Sequence, residues 1–181
     1  INLFLRITGK RTDGYHTLES GVVFTEFGDR ITINRAAADE ICLTGPFAGD
    51  LLKDSGGNIC ASCLAKFRQA GGVVEPLKIV IEKNIPVGAG LGGGSSDAAA
   101  LLRHLNQHAT TPLSPDTLYG LALQLGADVP VCLNMASAHM SGIGEIISPL
   151  AVKNAGSILL ANPGKALATG DVFKSLTDAD M

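Results

Sequence analysis

The chain has 181 residues, which is enough for one ordinary domain or for one domain and part of a second. Hydrophobic residues make up 46% of it, but no apolar run approaches the ~20 residues of a membrane-spanning helix, so we expect no membrane partner. The net charge of −3 and the lack of a lysine- or arginine-rich block disfavour nucleic acid as a partner. Small phosphorylated ligands remain compatible, because backbone amides bind phosphate without a basic surface.

The cysteines and histidines do not predict a metal site. Cys60 and Cys63 form a CxxC pair, but the pair lies in a helical stretch and no second pair exists to complete a zinc site. His104 and His108 are four residues apart on a predicted helix and lack an acidic HExxH-type companion, so we interpret them as surface positions. All four cysteines sit in apolar surroundings, which is typical of reduced core residues in a cytoplasmic protein.

The N-terminal stretch predicts two strands joined by a turn. Residues 1–7 alternate as a strand already in progress and no methionine begins them, so we expect further residues upstream. Asp13 and Gly14 are turn formers. Tyr15 and His16 follow, and an exposed aromatic ring beside an imidazole can stack on a base and bond its edge. An ordinary loop between two strands is the alternative interpretation.

The next part of the chain alternates strands with a helix. DRITINRA and ICL read as strands, and Asn58 opens a helix that continues to about Ala70. Ile59, Cys63 and Phe67 recur at helical spacing and form its core face. Asn58 is a typical helix cap. Two glycines end the helix.

The strand LKIVIEK leads into a glycine-rich stretch, PVGAGLGGGSSDAAA, which begins at Pro86. Five glycines between Gly88 and Gly94 leave peptide N–H groups unshielded, and a helix that starts just after them adds its positive end. Ser95, Ser96 and Asp97 are capping residue types, and we predict the helix from Ala98, with leucines at 101, 102 and 105. The pattern favours a phosphate-binding loop over a flexible linker.

The glycine-rich stretch is a poor match to two common phosphate-binding motifs, the Walker loop and the dinucleotide-binding loop. A Walker loop needs lysine and then serine or threonine after its last glycine, and no lysine follows Gly94. A dinucleotide GxGxxG pattern matches at Gly88, Gly90 and Gly93. This pattern should follow directly on a strand and precede an acid by about 20 residues. Here residues 84–87 separate the predicted strand from Gly88, and the nearest later acid, Asp116, lies in a turn-like LSPD.

The second half of the chain predicts a helix over 116–125, a strand after Asp128 and a strand in SILLANPG. Asp128 is an isolated carboxylate within an apolar run. Such a group is costly unless it is paired, caps a turn or is used in chemistry. Lys83, at the end of its strand, is either solvated or close enough to reach an adenine edge or a phosphate. Glu145, in the Gly-containing bend of SGIGEIISPL, is interpreted as structural.

The glycine-rich stretch resembles the signature of the GHMP small-molecule kinases, named for their galactose, homoserine, mevalonate and phosphomevalonate members. INLFLRITGKRTDGYHTL, GADVPVCL and SGIGEIISPL narrow the resemblance to the branch that acts on CDP-linked methylerythritol in the non-mevalonate isoprenoid pathway. The resemblance runs over nearly the whole chain, which looks incomplete at both ends. It implies an α+β fold of the ribosomal-protein S5 domain 2 type with a left-handed βαβ crossover over residues 1–150. Residues 151–181 would begin a ferredoxin-like C-terminal domain.

The resemblance also implies a reaction and a set of site residues. ATP, with Mg²⁺, would transfer its γ-phosphoryl group to the 2-hydroxyl of the CDP-linked substrate, and Asp128 matches the catalytic aspartate. We expect a monomer or homodimer with this small molecule as its partner. The positions that match the ATP site are Asn58, Lys83, Pro86, Gly88, Gly90, Gly92, Gly93, Gly94, Ser95 and Ser96. Those that match the substrate site are Asn2, Tyr15, His16 and Phe173.

Three alternatives stay open at this point. The chain could be a different GHMP small-molecule kinase, or a non-catalytic fragment that retains nucleotide binding. It could also be a dinucleotide-dependent oxidoreductase, which would bind NAD and have no affinity for ATP.

Overall fold

A computed structural model of the protein describes residues 1–49, 57–152 and 156–162. It divides into two compact units. The strand unit contains residues 1–26, 88–92 and the described residues from 134 onward; the helical unit contains residues 27–87 and 93–133. The strands are β1 (Asn2–Lys10), β2 (His16–Val22), β3 (Arg30–Arg35), β4 (Glu40–Thr44), β5 (Leu77–Glu82), β6 (Ala138–Ser141) and β7 (Ile146–Pro149). The helices are α1 (Ile59–Gln69), α2 (Gly93–His108), α3 (Pro115–Leu125) and α4 (Val129–Asn134).

The strand unit is built on an antiparallel four-stranded sheet in the order β1-β2-β6-β7. Its first hairpin turns at Gly14, whose φ of 91° is a left-handed conformation that glycine adopts without strain. The side chain of Asp13 accepts a hydrogen bond from the Tyr15 amide at 3.2 Å, which closes the turn. The predicted turn between two strands is therefore confirmed. In the second hairpin, Glu145 accepts a 2.6 Å hydrogen bond from the Ile143 amide.

The helical unit is built on a three-stranded sheet in the order β3-β5-β4. The central strand β5 runs antiparallel to β3 and parallel to β4, and α1 lies in the crossover between β4 and β5. Leu77, Ile79 and Ile81 alternate along β5 and are buried, as the period of two in a strand requires. The helices cover this core with one apolar face each, and α2 alone buries Leu101, Leu102 and Leu105.

Helix α1 begins and ends where the sequence predicts. The side chain of Asn58 accepts a hydrogen bond from the Cys60 amide at 2.9 Å, so Asn58 is the N-cap. Gly71, with a φ of 97°, follows the C-terminal end. Cys60 and Cys63 are buried against the core, and burial raises the pKa of the Cys63 thiol to about 12. Both thiols stay protonated, and their prediction as core residues is confirmed.

Three sequence predictions are wrong in detail. Helix α2 begins at Gly93 rather than Ala98, so Ser95, Ser96 and Asp97 lie inside its first turns and do not cap it. The residues after Asp128 form helix α4 instead of a strand, because an apolar run this short carries no period that separates strand from buried helix. Residues 157–162 form no strand. No helix in the described ranges is long and apolar enough to cross a membrane.

Candidate functional site

The glycine-rich stretch has an unusual backbone. We call residues 86–92 the glycine loop. Gly88, Gly90 and Gly92 have φ values of 69°, 72° and 68°. Ala89 and Leu91, between them, do not have positive φ. Alternation of this kind turns successive peptide N–H groups toward a common concave side, which is the nest geometry that binds anions.

The two ends of the glycine loop meet. A Cβ atom on Gly93, the first residue of α2, would lie 3.3 Å from Cγ2 of Ile85 and 3.3 Å from Oδ2 of Asp29. Hydrogen at this position lets the start of α2 approach the chain just before the loop. The start of α1 lies close by, since a Cβ on Gly94 would be 3.7 Å from Cγ2 of Ile59. The N-terminal ends of α1 and α2 therefore converge beside the base of the loop.

Lys83 lies at this base and is buried. Its Nζ donates hydrogen bonds to Oδ2 of Asp97, at 2.8 Å, and to Oδ2 of Asp29. The side chains of Lys83, Asp29 and Asp97 are 5%, 1% and 9% exposed. The solvated interpretation of Lys83 is wrong. Its ammonium group is the shared partner of two buried carboxylates.

Asp29 has a second function in this cluster. Its Oδ1 accepts hydrogen bonds from the backbone amides of Asn84, at 2.6 Å, and Ile85, at 2.8 Å. The carboxylate therefore binds the lysine ammonium through one oxygen and the backbone before the glycine loop through the other. Three segments are joined at one point: the turn before β3, the end of β5 and the first turns of α2.

The electrostatics of the cluster follow from two carboxylates sharing one cation. Burial raises the pKa of Asp97 to about 6, and the ammonium of Lys83 offsets only part of that effect. Burial also works against the charged form of Lys83, but its hydrogen bonds to Asp29 and Asp97 outweigh this and raise the pKa of the ammonium. Lys83 is therefore a cation throughout the physiological range.

Asp128, the predicted catalytic residue, is not part of this buried cluster. It directly precedes α4, and its carbonyl oxygen accepts a hydrogen bond from the Cys132 amide at 3.3 Å. The residue is exposed, yet the protein atoms around its carboxyl raise the pKa of that group above its usual value. Within the described ranges no hydrogen bond engages the carboxylate. The Asp128 carboxylate therefore has no hydrogen-bonded partner among the described residues and is a better proton acceptor than an ordinary surface aspartate.

Comparison with known proteins identifies a family that one segment of the chain resembles. Residues 58–135 match the family model described as the GHMP kinases N terminal domain. The matched segment holds the glycine loop, α1 to α4 and Asp128. This segment, which we call the GHMP domain, is similar to the N-terminal domains of GHMP kinases. The α+β fold expected from the GHMP resemblance is thereby confirmed.

The similarity to curated relatives extends well beyond the GHMP domain. The chain is 47% identical to the 4-diphosphocytidyl-2-C-methyl-D-erythritol kinase of Agrobacterium fabrum, over 97% of this chain and 60% of the relative. It is 45% identical to the protein of the same name in Chelativorans sp., over 99% of this chain and 61% of the relative. A crystal structure of 4-(cytidine 5'-diphospho)-2C-methyl-D-erythritol kinase superposes with a TM-score of 0.77 at 31% identity, over 99% of this chain and 62% of that one. The chain thus spans about three fifths of the length of these relatives.

Within the GHMP domain, the structure brings part of the predicted ATP set together. Asn58, Gly93 and Gly94 lie at the converging starts of α1 and α2, and Lys83 lies beneath them in its buried cluster. Pro86 and Ser95 are half-buried and Ser96 is exposed. In the described residues, no group of three or more histidine, cysteine or acidic side chains has the arrangement of a metal site.

The predicted substrate residues fall at two ends of one hairpin in the strand unit. Asn2 pairs with Val22 near one end of the β1–β2 ladder, and its amide donates a 2.7 Å hydrogen bond to the Ser20 hydroxyl. His16 pairs with Lys10 at the other end, beside the exposed Tyr15. Six residues of strand, about 20 Å, separate these ends, so a ligand that contacts both is extended. Phe173 lies outside the described residues.

Sequence reasoning missed Asp29 and misread Asp97. Asp29 is 54 residues before Lys83 in the chain, and nothing local indicates their contact. Asp97 carried a usable signal, because it stands directly before the apolar run AAALL of α2, where an acid needs a partner. The extent of the first domain to residue 150, the handedness of its crossover and the second domain from residue 151 stay predictions.

Proposed function

We propose that the protein is an ATP-dependent small-molecule kinase that phosphorylates the 2-hydroxyl of 4-diphosphocytidyl-2-C-methyl-D-erythritol. This step belongs to the non-mevalonate route to isoprenoid precursors. The observation that carries the proposal is the 47% identity, over 97% of this chain, to a relative that bears this activity in its name. The GHMP domain match supports the reaction class.

The phosphates of ATP are proposed to bind the backbone amides of residues 88–94. The positive φ values of Gly88, Gly90 and Gly92 support this assignment, because a backbone in which such residues alternate with residues of negative φ can form an anion-binding nest. A Cβ on Gly90 or Gly92 would meet nothing within 4 Å. These positions therefore require glycine for backbone conformation, and the space beside them stays open for a ligand.

Asp128 is proposed as the general base. The substrate hydroxyl oxygen forms a bond to the γ-phosphorus while the bond from that phosphorus to the β–γ bridging oxygen breaks, and ADP leaves. The hydroxyl proton passes to the Asp128 carboxylate. The raised pKa of Asp128, and the lack of a hydrogen-bonded partner for its carboxylate among the described residues, support this role. Alignment of the two reactants supplies most of the remaining acceleration in phosphoryl transfer.

Mg²⁺ is proposed to accompany ATP, neutralising charge on the phosphates when it is bound. The donor set fits a nucleotide-borne ion: the first turns of α2 offer the hydroxyls of Ser95 and Ser96, and the described ranges hold no cluster of three protein ligands. Asn58 and Lys83 are proposed to border the adenosine. Pro86 shapes the entry to the loop.

The substrate is proposed to lie along the β1–β2 hairpin. Tyr15 and His16 would hold the cytosine with Phe173, and Asn2 would contact the methylerythritol part. The length of the hairpin supports placing the cytosine at one end and the methylerythritol part at the other, because a nucleoside diphosphate linked to a sugar alcohol is an extended ligand. A cytoplasmic location, a monomer or homodimer, and no binding of nucleic acid or membrane complete the proposal.

The decisive experiment replaces Asp128 with asparagine. We expect Asp128→Asn to lower kcat by about 10²–10⁴-fold, the range that a general base typically contributes, and to leave the Kd for ATP within about twofold. ADP release with 4-diphosphocytidyl-2-C-methyl-D-erythritol gives kcat, and calorimetry with ATP gives Kd. The matched control is Asp116→Asn in the first turn of α3, which should change neither. Retention of full turnover in Asp128→Asn would contradict the role of the carboxylate.

A thermal-shift comparison separates the kinase from the dinucleotide-dependent alternative. A ligand that binds only the folded state stabilises it by RT ln(1 + [L]/Kd) and so raises the melting temperature. We expect ATP with Mg²⁺ to raise Tm and NAD to leave it unchanged. The reverse result would overturn the proposed function.

A further inference from the structure

The glycine loop is a closed loop of seven residues whose ends touch. Residues 86–92 lie between Ile85 and Gly93, and these two flanking residues approach closely, since a Cβ atom on Gly93 would lie 3.3 Å from Cγ2 of Ile85. Closing a flexible chain costs entropy, and glycine residues carry the largest share of it. Something must therefore hold the base of this loop.

The buried cluster lies at that base. Lys83 precedes Ile85 by two residues, and Asp97 follows Gly93 by about one helical turn, so the 2.8 Å ion pair between them spans the two ends of the loop. Asp29 adds its bonds to the amides of Asn84 and Ile85, which connect Lys83 to the loop. Each anchor of the loop is thus bound to the same group of charges.

We propose that Asp29, Lys83 and Asp97 are positioning residues that hold the base of the glycine loop closed and so preorganise its amides for a phosphate group. The inference rests on the proposed function only for the identity of the ligand. A loop already ordered before binding loses less entropy when the ligand arrives, and affinity rises accordingly.

The composition of the cluster supports a positioning role over simple core packing. Burial of charged groups seldom adds stability compared with apolar residues of similar volume, although removing one partner is strongly destabilising. Leucine and alanine fill the neighbouring buried positions of α2. Ionic hydrogen bonds differ from such contacts in fixing direction and distance, which is what the loop base requires.

The experiment measures loop order in the ligand-free 181-residue chain. Amide ¹⁵N order parameters of Gly88, Gly90 and Gly92 are compared in wild type, Asp97→Ala, Asp97→Asn and Leu102→Ala. Asp97→Ala removes the acceptor on α2 but leaves Lys83 paired with Asp29, so the chain should fold. Asp97→Asn keeps an oxygen for Lys83. Leu102→Ala creates a core cavity on the same helix and tests destabilisation alone.

We expect order parameters of about 0.85 in the wild type and below about 0.6 in Asp97→Ala. In Asp97→Asn and Leu102→Ala we expect values close to those of the wild type. A disordered wild-type loop, no change in Asp97→Ala, or equal losses in Asp97→Ala and Leu102→Ala would each overturn the inference. Order parameters in Asp97→Asn as low as those in Asp97→Ala would also overturn the inference. If Asp97→Ala does not fold, Asp97→Ser is measured in its place. Failure of both variants to fold would also overturn the inference, since the cluster would then be a requirement of the fold.

A second measurement connects loop order to binding. Kd for a non-hydrolysable ATP analogue should weaken about tenfold in Asp97→Ala and stay within about twofold in Asp97→Asn and Leu102→Ala, where a tenfold change corresponds to about 1.4 kcal/mol. A wild-type chain that binds no ATP analogue would refute the proposed function. The order parameters would still decide the positioning role.

Discussion

Nζ of Lys83 lies 2.8 Å from Oδ2 of Asp97, and both side chains are buried. The pair joins the end of β5 to the first turns of α2. A strand end and a helix start that are 14 residues apart in the chain are thereby held together at the base of the glycine loop. The first two predictions concern this pair.

Replacing Lys83 with methionine should be strongly destabilising. Lys83→Met keeps the length of the side chain but leaves Asp29 and Asp97 buried without a cation, and loss of one partner from a buried ionic group costs about 3–5 kcal/mol. Urea unfolding measures the free energy of unfolding. The control is Lys78→Met on the same strand. Lys78 pairs with Glu40 at 3.0 Å in an exposed position, and its loss should change stability by less than about 1 kcal/mol.

The raised pKa of Asp97 predicts a pH-dependent stability. Its folded value of about 6 exceeds the ordinary value of 3.8, so its stabilising contribution is complete below about pH 4 and is lost as the pH rises through 6. Asp29, Lys83 and the Cys60 thiol face this carboxyl. The free energy of unfolding of the wild type, measured with urea, should fall between pH 5 and pH 7.5, and Asp97→Asn should make this fall smaller by about 1.4 kcal/mol. Equal pH dependence in the two proteins would contradict the prediction.

Gly45 should tolerate no side chain. Its φ is 89°, and a Cβ atom there would lie 2.7 Å from the backbone oxygen and 2.8 Å from the backbone nitrogen of Lys83. Backbone atoms cannot move aside, so Gly45→Ala should lose about 2–5 kcal/mol in urea unfolding. Gly120→Ala is the control, because a Cβ at Gly120 in α3 meets nothing within 4 Å. That substitution should add up to about 1 kcal/mol.

We expect Gly90 to affect ATP binding only through its backbone conformation. A Cβ at this position has free space, but a φ of 72° is strained for alanine by about 1–2 kcal/mol. Gly90→Ala should therefore shift the loop away from its binding conformation and weaken Kd for an ATP analogue up to about tenfold. Asparagine adopts this conformation more readily. Calorimetry should place Gly90→Asn between wild type and alanine, and an alanine variant that binds at wild-type strength would refute the assignment of the loop.

Asn58 has two interpretations that stability and binding separate. As the N-cap of α1 it accepts the Cys60 amide, so Asn58→Ala should cost about 1 kcal/mol of stability. Asn58→Ser keeps the cap and shortens the side chain, and urea unfolding should show little loss. If Asn58 also contacts adenosine, as proposed, Kd for ATP weakens in Asn58→Ser despite unchanged stability. Unchanged affinity would leave only the capping role.

Much of the fold could be predicted from local signals. The Asn58 cap, the period of the apolar residues in α1 and the alternation in β5 each lie within one element, and each is confirmed. Prediction from local sequence failed where the same pattern of apolar residues suits two kinds of secondary structure. The five apolar residues after Asp128 suit a strand or a short helix equally well, and packing in the helical unit selected the helix.

The candidate site also has features that local sequence predicts and features that only long-range contacts determine. The sequence alone determined that residues 88–92 form a glycine-rich turn directly before a helix, because glycine frequency and order act locally, and the binding of an anion there stays a prediction. Only the tertiary structure decided the state of Lys83. Whether a lysine at a strand end is solvated or buried depends on Asp29, 54 residues away, and on the helical direction of Asp97. Long-range charge contacts leave no periodic mark in a chain, since their energy depends on three-dimensional distance and burial.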